Sequence, residues 1–274
     1  MGDERGGTMS GTLTVVGSGI KAGAHLTSET ISWITTANKV FYLVADPVSE
    51  FQIKNLNATC ESLSDCYRDG ESRSVAYERM IERVVSSLSP NQTTVVVLYG
   101  HPGVFVYPSF EMLSEARHRG YSAIMLPAIS ADSCLFADLE IDPARDGCQS
   151  FEATDFLLHE RLFDPRSLLI LWQIGTVGDG SFQANGYRDT AIVKLVEALL
   201  DKYPEAHEVI VYEASQYAMF DPVINKCRLS ELASAPITPI STLVVPPIPR
   251  RPVSQKALDR LGLSRGDIII EKEK

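Results

Sequence analysis

Runs of β-branched and other apolar residues recur along the first part of the chain, at 12–16 (TLTVV), 39–44 (KVFYLV), 94–99 (TVVVLY) and 122–126 (SAIML). They end in Gly17-Ser18-Gly19, Ala45-Asp46-Pro47, Gly100-His101-Pro102-Gly103 and Pro127-Ala128-Ile129-Ser130-Ala131-Asp132. Near-continuous apolar runs predict strands of a sheet covered on both faces. Val75, Met80, Ile81 and Val84 stand at helical spacing and predict a helix over 74–88, and another helical pattern begins at Thr27 (TSETISWITTA). This alternation predicts an α/β unit over 12–126. The pattern then begins again, with strand-like runs at 168–173 (LLILWQ), 208–212 (EVIVY) and 242–245 (TLVV) and a helix over 190–203, which predicts a second α/β unit over 127–247. Residues 1–11 (MGDERGGTMSG) read as a disordered extension and 248–274 as a tail, with a short helix over 253–263. From Arg250 that tail carries seven Lys/Arg against four Asp/Glu, the balance of a solvated extension.

Composition narrows the function classes. With 45% hydrophobic and 22% charged residues in 274, the chain can bury a sizeable core. Its 25 Lys+Arg against 35 Asp+Glu give a net charge of −10, which argues against nucleic acid as a partner. Five scattered cysteines (Cys60, Cys66, Cys134, Cys148, Cys227), without a CxxC pair or clustered histidines, predict neither a disulfide framework nor a metal site. No apolar run approaches the ~18 residues of a membrane span. A cytoplasmic protein in a reducing compartment, without a membrane partner, is expected.

Gly17-Ser18-Gly19-Ile20-Lys21-Ala22 satisfies G-x-G-x-x-G/A, and Asp46 ends the next strand, where a dinucleotide fold holds its ribose. Any strand-to-helix turn needs glycines, however, and the helix signal comes only near Thr27, so a structural turn competes with nicotinamide binding. More specific is Leu98-Tyr99-Gly100-His101-Pro102-Gly103-Val104-Phe105, two glycines and a proline at the carboxyl end of a strand. With the GSG turn and the Pro-Ala-Ile-Ser-Ala loop it resembles the tetrapyrrole (corrin/porphyrin) methylase superfamily. That loop usually reads G-D-P there, and His101 stands in place of the aspartate. YGHPGVF, followed by LPAISADSCLFADLEIDP, FEATDF and LWQIG, is similar to the borosin-type peptide backbone α-N-methyltransferases from about Gly11 to Pro247.

That resemblance implies a two-subdomain tetrapyrrole-methylase-like α/β fold with S-adenosylmethionine in the cleft between the halves. Tyr99, His101, Val104, Val106, Ser130 and Ala131 would touch the cofactor, and Gln173, Tyr212, Ala214, Ser241 and Thr242 would close the site. Taken alone, Gln173 and Ser241 read equally well as ordinary polar residues at strand ends. Arg73 and Tyr77, four apart, share one helix face, and Tyr67 lies in the loop before it. A nearby guanidinium favours phenolate, so Tyr67 is expected to titrate below the ordinary tyrosine value and serve as base while Arg73 and Tyr77 polarise the amide carbonyl. These positions match the tyrosine, arginine and tyrosine of borosin catalysis. Without the resemblance, Arg73 reads as a surface ion pair and Tyr77 as packing, and which tyrosine is the base stays open. His101 reads as a positioning residue and Cys66 as a buried filler.

Many borosin enzymes carry their substrate as a C-terminal extension. Only 27 residues follow Pro247, with Ile268-Ile269-Ile270 read as a packing segment, so a separate precursor peptide is expected. A homodimer, or a heterotetramer with two peptides, would be the assembly. The rivals are a tetrapyrrole or RNA methylase of the same superfamily and a ligand-binding relative without turnover.

Overall fold

A computed structural model describes residues 11–184, 186–187 and 191–267. The expected disorder of 1–11, apart from Gly11, and the Ile268-Ile270 packing segment lie outside the described residues.

The first half contains β1 (Thr12–Gly17), α1 (Ser28–Thr36), β2 (Lys39–Leu43), α2 (Pro47–Leu56), β3 (Cys60–Ser62), α3 (Arg73–Ser86), β4 (Thr93–Leu98), α4 (Tyr107–His118) and β5 (Ser122–Met125). Its five strands form one sheet in the order β3-β2-β4-β1-β5, with every pair parallel. Alternate residues of the apolar runs face opposite layers. Leu13, Val15, Phe41 and Val96 pack with Met80 and Val84 of α3 and Met112 of α4. Val16, Val40, Val95 and Val97 pack with Ile34 of α1 and Ile53 of α2 on the other face. The double coverage predicted from the pattern is therefore present.

The second half contains α5 (Ala131–Asp138), α6 (Pro143–Asp146), β6 (Cys148–Glu152), α7 (Ala153–Leu158), β7 (Leu168–Trp172), α8 (Ile192–Leu200), β8 (Glu208–Glu213), β9 (Val223–Arg228) and β10 (Thr242–Val245). The runs read at 168–173, 208–212 and 242–245 are β7, β8 and β10, but the strand directions differ from those of the first half. The sheet order is β6-β7-β10-β8-β9, only β6 and β7 run parallel, and β10 is antiparallel to both β7 and β8. Apolar runs report burial on two faces and carry no information on strand direction. Both faces are again covered, by α7 and α8 on one side and by Leu135 of α5 on the other. The helix read over 190–203 is α8, shorter at both ends, and its expected first residue Thr190 lies outside the described residues. In the tail, α9 (Gln255–Leu261) is capped by Ser254 and buries Leu258.

Because β10 is antiparallel to its neighbours, its first residues share a sheet edge with the carboxyl ends of β7 and β8. That edge meets the strand-end loops of the first half. Phe105 contacts Trp172 with ring centroids 5.6 Å apart, and the Ala22 amide donates to the Gln216 carbonyl at 2.8 Å.

Candidate active site

The two glycine turns pair with each other. Gly19 and Gly100 exchange backbone hydrogen bonds of 3.2 and 3.0 Å, both at positive φ (70° and 69°), a conformation glycine adopts without steric cost. A Cβ on Gly17 would meet the Gly100 carbonyl oxygen at 2.1 Å, so the approach of the loops depends on that residue. His25 fills the GSG turn. Its Nδ1 accepts from the amides of Ile20 (3.2 Å) and Lys21 (3.1 Å), and burial, with Lys21 nearby, lowers its pKa and keeps the ring neutral. Those amides are the donors a pyrophosphate would need. Asp46 is equally committed, capping α2 by accepting from the amides of Val48 and Ser49, both at 2.9 Å, and from the Ser49 hydroxyl at 2.6 Å. With α1 starting only at Ser28, the dinucleotide reading loses its phosphate donors, its ribose carboxylate and its helix.

The expected cofactor residues fall along the facing edges of the two sheets. In the first loop His101 accepts the Gly103 amide at Nδ1 (2.9 Å), which orders the turn and fits a positioning role. Val104 caps that turn by donating to the His101 carbonyl, and Val106 packs on the core beneath α3 and α4. Phe105, between them, is a non-glycine residue at φ 55° and half-exposed, and so is part of a backbone bend stored at this loop. Gln173 shows the same left-handed conformation, φ 59°, at the end of β7. Tyr99 is held by a hydrogen bond with Gln216, and burial pushes its phenol up to about 12. Ala131 and Ala214 pack around Tyr212 and Trp172 on one face of the second sheet.

Four of the expected contacts are turned inward. Burial raises the pKa of Tyr212, and its hydroxyl's donation to Asp138 at 2.7 Å adds to the rise. Ser241 donates to Glu213 and accepts the Thr238 amide at 2.8 Å, while Thr242 is buried in the ladder opposite Tyr212. Ser130, at the start of α5, donates to Asp132. What these residues can offer a ligand is mainly main-chain atoms and shape.

Tyr67, Arg73 and Tyr77 come together as expected. Arg73 is the first residue of α3, whose N-cap is Ser72 and whose first turn holds no acid. A cation there opposes the helix dipole. It is held instead by the second half, with its guanidinium donating to the Asp179 carbonyl and its amide to Gly180 at 3.0 Å. Tyr77 meets Tyr67 edge-on at 6.3 Å, and Cys66 beside them is fully buried. One expectation fails. Tyr67 titrates well above the ordinary tyrosine value, because burial outweighs the nearby Arg73, and the charge and hydrogen bond of Tyr77 act with burial. The resting residue is a protonated phenol.

Neighbours from outside the sequence motifs complete the cluster. Phe182 stacks on Tyr67 at 4.8 Å and 27°, and Tyr107, the residue after the 100–106 loop, sits 6.3 Å from Tyr77. Gln216, beside Tyr99, and His25, in the GSG turn, are unforeseen as well and lie outside this cluster. The glycine- and aromatic-bearing stretch after β7 (GTVGDGSF) was the available signal for Phe182. Among the described residues no group of three or more His, Cys, Asp or Glu assembles to hold a metal, and no helix is long and apolar enough to cross a membrane.

Residues 12–233 match the family of tetrapyrrole (corrin/porphyrin) methylases. The chain is 39% identical over 270 residues to a methyltransferase/ribosomally synthesized cyclic peptide omphalotin A precursor from Omphalotus olearius, covering 97% of this chain and 65% of that protein. It is 40% identical over 251 residues to the corresponding dendrothelin A precursor from Dendrothele bispora, covering 90% of this chain and 60% of that one. The chain thus spans less than two thirds of these relatives' length. Among solved structures, uroporphyrin-III-C-methyltransferase from Thermus thermophilus superposes with a TM-score of 0.61 at 17% identity, covering 86% of this chain and 92% of that one, a likeness of fold alone.

Proposed function

The chain belongs to the tetrapyrrole (corrin/porphyrin) methylase family, and from that premise we propose that it is an S-adenosylmethionine-dependent methyltransferase acting on backbone amide nitrogens of a peptide. The observation that carries this reading is the Tyr67–Arg73–Tyr77 cluster, packed against Tyr107 at the start of α4, in a chain about 40% identical to methyltransferase/cyclic peptide precursors. The residues present fit the cofactor. Glycine turns that a Cβ would obstruct offer main-chain atoms, Phe105 and Trp172 form an aromatic wall, and Tyr99, His101 and Gln173 supply polar groups. When bound, the cofactor supplies an electrophilic methyl group on a sulfonium.

The remaining work falls to the chain. An amide nitrogen is a poor nucleophile because its lone pair is delocalised into the carbonyl. Arg73, fixed by the Asp179 and Gly180 carbonyls, stabilises negative charge gathering on the amide oxygen, and Tyr77 adds a second donor. The Tyr67 oxygen takes the amide proton, which requires the phenolate. Burial keeps that form scarce and strongly basic, and Arg73 acts against burial by favouring it.

Incubation with S-adenosylmethionine and apolar peptides, followed by intact mass of both peptide and enzyme, tests the reading. Gains of about 14 Da per methyl group are expected. Mass gained by the peptide identifies a separate substrate, and mass gained by the enzyme identifies a substrate within the same polypeptide. Turnover of a tetrapyrrole, or cofactor binding without transfer to any peptide, would replace this function with one of its rivals.

A further inference from the structure

The loop that follows β7 reaches across the cleft and pairs with the segment preceding α3. Gly70 donates to the Phe182 carbonyl at 2.8 Å, Phe182 donates to the Glu71 carbonyl at 2.8 Å, and Arg73 donates to the Gly180 carbonyl at 3.0 Å. Ser72 and Ser181 form an antiparallel bridge, and the Ala184 amide donates to the Asp69 carboxylate at 2.8 Å. The strap is braced internally. Asp179 accepts the Ser181 amide at 2.8 Å and hydroxyl at 2.6 Å, and the Tyr187 hydroxyl donates to the Ser181 carbonyl at 3.0 Å. This order sets two side chains, the Arg73 guanidinium on the Asp179 carbonyl and the Phe182 ring lying flat on Tyr67.

A two-sided backbone pairing between halves is far more than is needed to cover one apolar ring. Surface loops usually satisfy their amides with water, and here they are spent fixing the height and tilt of Phe182. We propose that Phe182 is a positioning residue for the methyl-transfer step, its stacked ring and the strap that carries it holding the Tyr67 hydroxyl at the peptide amide. This rests on the function proposed above. The groups facing Tyr67 are Tyr77 and Arg73 from α3 and Tyr187 from the strap, with Asp179 beside Arg73. Phe182 is the face that carries no titratable group. Its removal lets water reach the phenol without removing a charge.

The test uses the intact protein with Phe182→Ala, Phe182→Leu and Phe182→Tyr. Phe182→Leu keeps apolar bulk and loses the stack, so kcat should fall about tenfold with little change in cofactor KM, whereas Phe182→Tyr should stay within about twofold of wild type. Tyr67 ionisation, followed by ultraviolet difference absorbance against a Tyr67→Phe background, should begin at lower pH in Phe182→Ala than in wild type. A wild-type kcat in Phe182→Leu, or an unmoved Tyr67 titration in folded Phe182→Ala, would overturn the role. The titration needs neither peptide nor cofactor. A wild-type enzyme that methylates no peptide would therefore sink the proposed function by a different readout.

Discussion

Tyr67 and Tyr99 are both partly buried tyrosines at the junction of the halves, and burial holds both phenols above their ordinary value, yet their surroundings differ in kind. Tyr67 faces a guanidinium and two further phenols beneath a stacked ring. Tyr99 faces a neutral amide, Gln216, which is tied through its carbonyl to the GSG turn. The first environment can stabilise negative charge in a transition state and the second can only fix a position. Burial alone therefore does not mark the reactive residue, and the cation working against burial does.

The largest expected effect breaks this comparison at the reactive end. Tyr67→Phe keeps the ring and removes the oxygen, and should lower single-turnover rate by roughly 10²-fold or more at nearly unchanged cofactor affinity. Arg73→Ala should do likewise, and near-wild-type rates in both would place the base elsewhere. Next, Gly17→Ala drives a methyl group against the Gly100 carbonyl and separates the paired turns. Calorimetry should show cofactor affinity reduced by about tenfold or more, with transfer from the residual complex retained.

A pH series sharpens the contrast. If phenolate Tyr67 is the active form, the rate should climb about tenfold per pH unit from neutrality while the protein stays folded. The folded state is the limit, because Tyr67, Tyr99 and Tyr212 all bind their protons more tightly folded than unfolded. Their contribution to stability is complete below the unfolded value near 10 and is lost as pH rises beyond it, so denaturant midpoints should fall on the alkaline side. The smallest effect belongs to the positioning end. Tyr99→Phe loses one neutral hydrogen bond to Gln216, about 0.5–1.5 kcal/mol, and should raise the cofactor Kd several-fold while sparing the rate.

The same contrast explains what could be read in the sequence. Strands β1, β2, β4, β7, β8 and β10 were legible because both faces are buried, and α3 because its apolar stripe is regular. The edge strand β9 (VINKCR) escaped notice because its polar, half-exposed side chains carry no run. α2 carries no regular apolar stripe, and its local signal is the N-cap Asp46 followed by Pro47. In the site, Tyr67, Arg73 and Tyr77 lie within a few residues and share local structure. Phe182, Gln216 and His25 act through contacts that exist only after the halves meet or the turn folds back. Arg73's proximity to Tyr67 was legible too, but the depth of burial that overrides it is a property of the packed strap.

The most direct test locates the methyl group. Peptide converted by the wild-type enzyme and S-adenosylmethionine would be fragmented along its backbone by tandem mass spectrometry, with Tyr67→Phe run in parallel. About 14 Da is expected on successive backbone amide nitrogens with wild type and little or none with Tyr67→Phe. Methyl groups confined to side chains or termini, or equal backbone methylation by both proteins, would contradict it.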